Sequence, residues 1–253
     1  MKKLGIIGYG WLGSRIADYL SSQFKIYATT TSPEKLADLK SKSIRVELVE
    51  FSDENKAHQI STWDVISSLD AVIITIPFSS RQSCASSLFN KIQNISAFLG
   101  DYSGQLFMMN STGVYDKEEK EYTEADKAID KVSSERLFKT YFPQINILRL
   151  AGLMGDDRLL KNYNVSNLDA PVNHVHYQDI ARVVHLMIEL ERHAKLYNVV
   201  APIHPSKQDV INAQNNEVYD VEKEAKGRII SSAKLIEELG FTFKFPDPRF
   251  FHL

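Results

Sequence analysis

Residues 4–13 read Leu4-Gly5-Ile6-Ile7-Gly8-Tyr9-Gly10-Trp11-Leu12-Gly13, and this stretch decides the fold. Leu4 to Ile7 is a short apolar run of the kind that forms a buried strand. Trp11 to Ser21 follows with apolar residues at Leu12, Ile16, Ala17 and Leu20, spaced for one face of a helix. Between them Gly8, Gly10 and Gly13 stand at GxGxxG spacing. The first glycine permits a tight turn, the second lets a phosphate reach the backbone, and the third lets helix pack closely on strand. N–H groups at the start of the helix then stabilise a pyrophosphate. With a strand before it and a helix after it, the motif predicts a dinucleotide site at Gly8, Gly10, Trp11, Leu12 and Gly13.

Outward from this turn, short β-type runs alternate with helical patterns. Phe24–Ala28, Ile44–Val49, Ala71–Ile76, Gln105–Met109 and Ile145–Leu150 read as strands. Ala71–Ile76 is almost wholly apolar, as a strand covered on both faces should be. Helices are predicted from Ser32-Pro33-Glu34 to Lys40, over Ser79–Leu99 and over Glu124–Tyr141. Strands separated by such helices imply βαβ units and a parallel sheet. After about residue 152 the rhythm changes: a polar stretch leads to a helix over Tyr177–Glu191 and a strand over Leu196–Val200. A capping box follows at Ser206–Asp209, then a helix over Ser232–Leu239 closed by Gly240. The tail after Gly240 carries five phenylalanines, which are expected to dock rather than stand in water.

Composition bounds the rest. The 253 residues carry 30 Lys+Arg against 32 Asp+Glu, a formal net charge of −2. That balance, with no basic cluster, argues against nucleic acid or an anionic membrane as partner. A single cysteine, Cys84, excludes an intrachain disulfide framework and fits a reducing cytoplasm. The Met1-Lys2-Lys3 start is not expected to be a secretory leader, because glycines break the apolar run at once. No apolar stretch approaches the roughly 20 residues that cross a bilayer.

At the end of the second strand, where a carboxylate would hold an adenosine ribose, the chain reads Ala28-Thr29-Thr30-Thr31-Ser32, with Lys35 a turn later. Hydroxyls at Thr30, Thr31 and Ser32 beside Lys35 tolerate a 2′-phosphate, which leans the expected cofactor, NAD(P), slightly towards NADP. The same hydroxyls serve equally as helix caps. Ile76 and Pro77, at the end of the fourth strand, complete the expected cofactor site.

Further segments carry a resemblance. Ser111-Thr112-Gly113-Val114-Tyr115 looks like the Ser-x-x-Val-Tyr-Gly segment of the extended short-chain dehydrogenase/reductase superfamily, with Asp116 in place of the glycine. Arg149 to Gly155 is similar to its Leu-Arg-x-x-x-x-Tyr-Gly segment, with Met154 for the tyrosine. Asn173 to Ala181 resembles its Asn-x-x-His-Val-x-Asp-x-Ala stretch, and Tyr197 to Val200 and Leu239-Gly240-Phe241 also fit. The likeness runs in order along the whole chain and points to an atypical, epimerase/dehydratase-like subgroup. It implies an α/β fold: a Rossmann-type doubly wound parallel sheet over residues 1–152, with a small C-terminal α+β substrate lobe over 153–253, some of whose elements return to the core.

The resemblance also implies roles. In the family a serine polarises the substrate, a Tyr-x-x-x-Lys tyrosine exchanges the proton, and the lysine holds the nicotinamide ribose. Ser111 and Lys131 match the first and last, and Glu135 matches a glutamate that often follows; Lys127 stands where the tyrosine would. Proton transfer then falls to Lys127, to Tyr115 or Tyr122, to His176, or to no residue at this position. Plainer readings stand beside these. Ser111 fits a turn, and Lys127 and Lys131 fit a solvated face paired with Glu124 and Glu135. His174 and His176 lack companions at metal-ligand spacing, so no metal is expected. The leading expectation is an NAD(P)-dependent oxidoreductase or epimerase-like enzyme acting on a small polar substrate, with nucleotide sugars among the candidates. The other is a catalytically silent dinucleotide-binding sensor or interaction protein. The family also implies a homodimer through the two long helices, with Leu88, Ile92, Ile95 and Leu99 as its face, unless these cover the chain's own sheet.

Overall fold

The computed structural model describes residues 1–42, 44–51, 57–78, 85–126, 133–220 and 225–253. In chain order the elements are β1 (Lys2–Ile7), α1 (Trp11–Leu20), β2 (Phe24–Thr30), α2 (Pro33–Ser41), β3 (Arg45–Leu48), β4 (Ala71–Ile74), α3 (Ala85–Leu99), β5 (Gln105–Ser111), β6 (Glu121–Tyr122), α4 (Ser133–Tyr141), β7 (Asn146–Leu150), β8 (Gly152–Met154), β9 (His174–His176), α5 (Tyr177–Glu189), β10 (Leu196–Val199), α6 (Lys207–Gln214), β11 (Ile229–Ile230) and α7 (Ala233–Leu239). The main sheet has seven strands in the order β10-β7-β5-β4-β1-β2-β3. β1 pairs in parallel with β2 and β4, as do β2 with β3 and β4 with β5. The order therefore reverses between β1 and β4, the switch point at which doubly wound sheets open a crevice. All four residues of β4 are fully buried, as its apolar run requires.

The chain forms two compact units. The first comprises Met1–Asn110, Asp130–Ile147 and Ile188–Lys195; the second comprises Ser111–Ile129, Leu148–Met187 and Leu196–Leu253. The second unit thus takes in residues 111–129 and 148–152, upstream of the boundary near 152 that the sequence rhythm suggests.

Of the expectations about helices, one is corrected and another falls partly outside the described residues. The helix expected from Ser79 is described from Ala85 onward, and residues 79–84, Cys84 among them, lie outside the described residues. The helix expected from Glu124 is not helical at its start. Thr123–Asp126 is a turn in which Asp126 Oδ2 accepts the Thr123 amide at 2.8 Å, the local alternative to a helix that Thr and Asp side chains offer. Ile92, Ile95 and Leu99 are buried within the chain, so they cover its own interior rather than forming an exposed face; Phe89, on the same helix, is exposed.

In the second unit, Asp179 in the first turn of α5 is completely buried. Its carboxylate accepts the Lys244 and Phe245 amides at 2.8 and 2.9 Å and the Arg182 guanidinium at 2.6 Å. This pins the aromatic tail: Phe241, Phe243 and Phe251 are buried, and the His176 and Phe245 rings lie 3.8 Å apart. Ser206 caps α6, accepting the Asp209 amide at 3.1 Å, and Gly240 ends α7 at φ 60°.

Candidate functional site

The first unit holds a cavity of about 330 Å³ at the C-terminal ends of β1, β2 and β4, and its lining joins residues far apart in sequence. From the glycine turn come Gly8, Tyr9 and Gly10; from the end of β2 and the start of α2 come Thr29, Thr30, Thr31, Ser32 and Lys35. Beyond β4 stand Thr75, Ile76 and Pro77. Of the residues expected to hold a cofactor, Gly8, Gly10, Thr30, Thr31, Ser32, Lys35, Ile76 and Pro77 line this cavity. Trp11, Leu12 and Gly13 form the first turn of α1 and do not line it. Lys131 and Lys127 lie outside the described residues.

The turn is built by a few hydrogen bonds. Gly8 sits at φ 101°, a conformation side chains rarely adopt, and its amide donates to Thr29 Oγ1 at 3.1 Å. Its carbonyl accepts the Thr75 hydroxyl at 2.6 Å and the Gly10 amide at 2.7 Å. A Cβ at Gly13 would lie 2.3 Å from the Gly8 carbonyl oxygen, so glycine is required there for helix to meet strand. Gly10 is different: a Cβ there would meet nothing within 4 Å. It is also the N-cap of α1, and no side chain caps that helix. The first turn of a helix leaves amides with no partner inside the helix. Here they open beside empty space, with no acidic residue in the turn to oppose an anion. These features fit a dinucleotide pyrophosphate.

Towards the end of β2 the lining is mixed in charge. Lys35 Nζ donates to the Tyr9 carbonyl at 3.4 Å. Ser32 donates its hydroxyl to Glu34, and that bond holds the Glu34 carboxyl below its ordinary range. The sequence reading missed four polar or charged contributors: Thr29, Glu50, Thr75 and Lys91. Thr29, near the end of β2, and Thr75, just past β4, were legible as polar residues closing apolar strands. Glu50, just past β3, and Lys91, on α3, carry no local signal, because only the sheet order brings them to this cavity.

The second unit places the other candidates. Ser111 ends β5 with its side chain exposed, and its Oγ accepts the Gly113 amide at 3.0 Å. Tyr115 is only 2% exposed; its hydroxyl donates to Asn198 Oδ1 and accepts from Arg149 Nη1, both at 2.8 Å. Burial raises its pKa, opposed by Arg149. A phenol anchored in this way is set for holding structure rather than for swinging to a substrate. His176 is buried between Tyr177 and Phe245, and burial lowers its pKa to about 4.

Comparison with known proteins gives a consistent fold. The UDP-N-acetylglucosamine 4-epimerase of Bacillus cereus superposes with a TM-score of 0.70 at 16% identity, covering 96% of this chain and 94% of that one. The dTDP-glucose 4,6-dehydratase of Bacillus anthracis, in complex with NAD, gives 0.71 at 11% identity over 98% and 94%. The chain has their fold. The UDP-glucuronic acid 4-epimerase of Bacillus cereus, in complex with UDP-glucuronic acid and NAD, matches with a TM-score of 0.72 at 14% identity, over 97% of this chain and 95% of that one. In sequence, the chain is 26% identical to the Escherichia coli protein YeeZ over 98% of both. No protein-family model matches the sequence. No helix among the described residues is long and apolar enough to cross a membrane.

Proposed function

We propose that this chain binds a nicotinamide dinucleotide at the glycine turn and acts as an NAD(P)-dependent oxidoreductase of the epimerase or dehydratase kind on a small polar substrate, a nucleotide sugar being the class its fold relatives suggest. The observation that carries the reading is the open space at Gly10 in front of the uncapped α1. There the first-turn amides bind the pyrophosphate, Gly8 and Gly13 keep the turn tight, and Ile76 and Pro77 form the wall beyond β4. Thr31, Ser32 and Lys35 receive the adenosine ribose, and Lys35 beside two hydroxyls tips the preference towards NADP. When bound, the nicotinamide supplies hydride transfer. Ser111 orients the substrate by its exposed hydroxyl, Lys131 holds the cofactor ribose, and proton transfer rests with Lys127 or with none of the residues at that position. Protomers pair through α3 and α4, and a reducing cytoplasm is the compartment that a lone Cys84 suits.

One observation favours a second reading. The Tyr115 hydroxyl is held by two partners in the interior, which removes one proton-transfer candidate and suits a silent dinucleotide-binding protein. Titration of Trp11 fluorescence with NADPH and NADH, side by side, tests the shared part of both. Micromolar binding of either cofactor is expected, NADPH the tighter. No binding of either at millimolar cofactor would sink enzyme and sensor alike. Turnover in a substrate screen that Ser111→Ala abolishes separates the first reading from the second.

A further inference from the structure

Two buried polar atoms in the second unit have no hydrogen-bond partner among the described residues, and they belong to neighbouring side chains. Tyr122, on β6, is 2% exposed and Arg228 stands just before β11; the atoms concerned are the Tyr122 hydroxyl and the buried Arg228 Nε. The Arg228 guanidinium lies 5.6 Å from the centre of the Tyr122 ring. Leaving such groups unmade costs about 1–3 kcal/mol each, more for a charged one, so native proteins rarely do it without a reason.

The surroundings show how firmly the pair is held. β6 and β11 run in parallel with Ile230 opposite Tyr122. Asn173 fixes the backbone on either side of β11's start, donating to the Arg228 carbonyl at 2.9 Å and accepting the Ile230 amide at 2.8 Å. Arg228 Nη2 donates to the Thr112 carbonyl at 2.6 Å, which places the guanidinium against the turn that opens with Ser111. That is its one hydrogen bond among the described residues, from a group with five N–H donors, and no carboxylate among them pairs with it. Tyr115, the neighbouring ring 5.3 Å from Tyr122, is by contrast fully paired. Burial also pulls the Arg228 pKa down, with Tyr122, Tyr115 and Asp116 opposing, which marks a cation short of compensation.

We propose that Arg228 and Tyr122, beside Ser111, form an anion subsite that holds a carboxylate or phosphate group of the substrate. This deepens the functional reading above and rests on it for the word substrate; the site itself does not. A planar guanidinium with unspent donors matches two oxygens of either group, and the Tyr122 hydroxyl supplies a further donor.

The test reads Arg228 directly. Nitrogen-15 spectra of the arginine Nε–H groups are recorded while the full chain is titrated with inorganic phosphate or with D-glucuronate at constant ionic strength, the Arg228 signal being assigned by its loss in Arg228→Lys. A saturable shift of that signal is expected with at least one of the two anions, phosphate and glucuronate separating the phosphate from the carboxylate source. In thermal-shift titrations the same anion should bind roughly tenfold more weakly to Arg228→Gln and intermediately to Arg228→Lys, with NADPH affinity unchanged in both. A signal that responds no more than it does to chloride, or an equal response in Arg228→Gln, overturns the proposal and leaves the pair bridged by an internal water. Anion binding without NADPH binding would keep this site and remove the dinucleotide reading; the reverse result would do the opposite.

Discussion

At Gly10 and Gly13, three residues apart, the same mutation should have opposite consequences. A side chain at Gly13 meets the Gly8 carbonyl oxygen, so Gly13→Ala must shift helix or strand and is expected to destabilise the chain by about 1–3 kcal/mol. A side chain at Gly10 enters open space on extended backbone, so Gly10→Val should leave the urea midpoint almost unchanged while dinucleotide binding is lost. Equal stability loss in both variants would show that Gly10 serves the turn rather than a ligand. Histidine titration belongs to this scale too. Burial lowers the pKa of His174 and of His176 from 6.5 to about 4. Between those values the unfolded chain binds protons that the folded chain refuses. The stability each histidine contributes is therefore fully present above about pH 6.5 and is lost as pH falls towards 4, at up to about 1.4 kcal/mol per pH unit. Urea unfolding from pH 7 to 4 should show this fall, and His176→Gln should flatten it; an identical slope in the variant would remove His176 from the account.

Elements were most legible where one pattern sufficed. The β1–α1 unit, the buried β4, the capped α6 and the glycine stop of α7 follow from apolar spacing and turn chemistry confined to a few residues. The start of the helix before α4 was not legible, because Thr123 and Asp126 satisfy each other's backbone and hold a turn where periodicity alone suggests a helix. The pairings β6 with β11 and β8 with β9 escaped because strands of two or three residues leave no periodic trace. Asp179 gives the element scale its clearest prediction. It ties α5 to the tail through two amides and Arg182, so Asp179→Ala should cost about 3–5 kcal/mol in urea unfolding by leaving those donors unpaired. A loss below about 1 kcal/mol would mean that the phenylalanines alone hold the tail.

For the whole molecule, the glycine turn announced the cavity, but Glu50, Lys91 and Arg228 could be found only once the sheet order and the β6–β11 pairing were known. Sedimentation at several concentrations tests the pairing of copies: a mass that stays at one chain throughout would exclude it. The division into two units has a further consequence, during synthesis. Each unit is assembled from three separate segments, and the first is incomplete until Ile188–Lys195 has been made. Its first segment ends at Asn110 and its last at Lys195, so a ribosome must add 85 more residues before that unit can close. At about 5–20 residues per second, this leaves the first unit, with β5 at its open edge, incomplete for several seconds. A nascent chain halted at Met187 should thus remain protease-sensitive over β1–β5 and engage chaperones that the finished chain no longer meets.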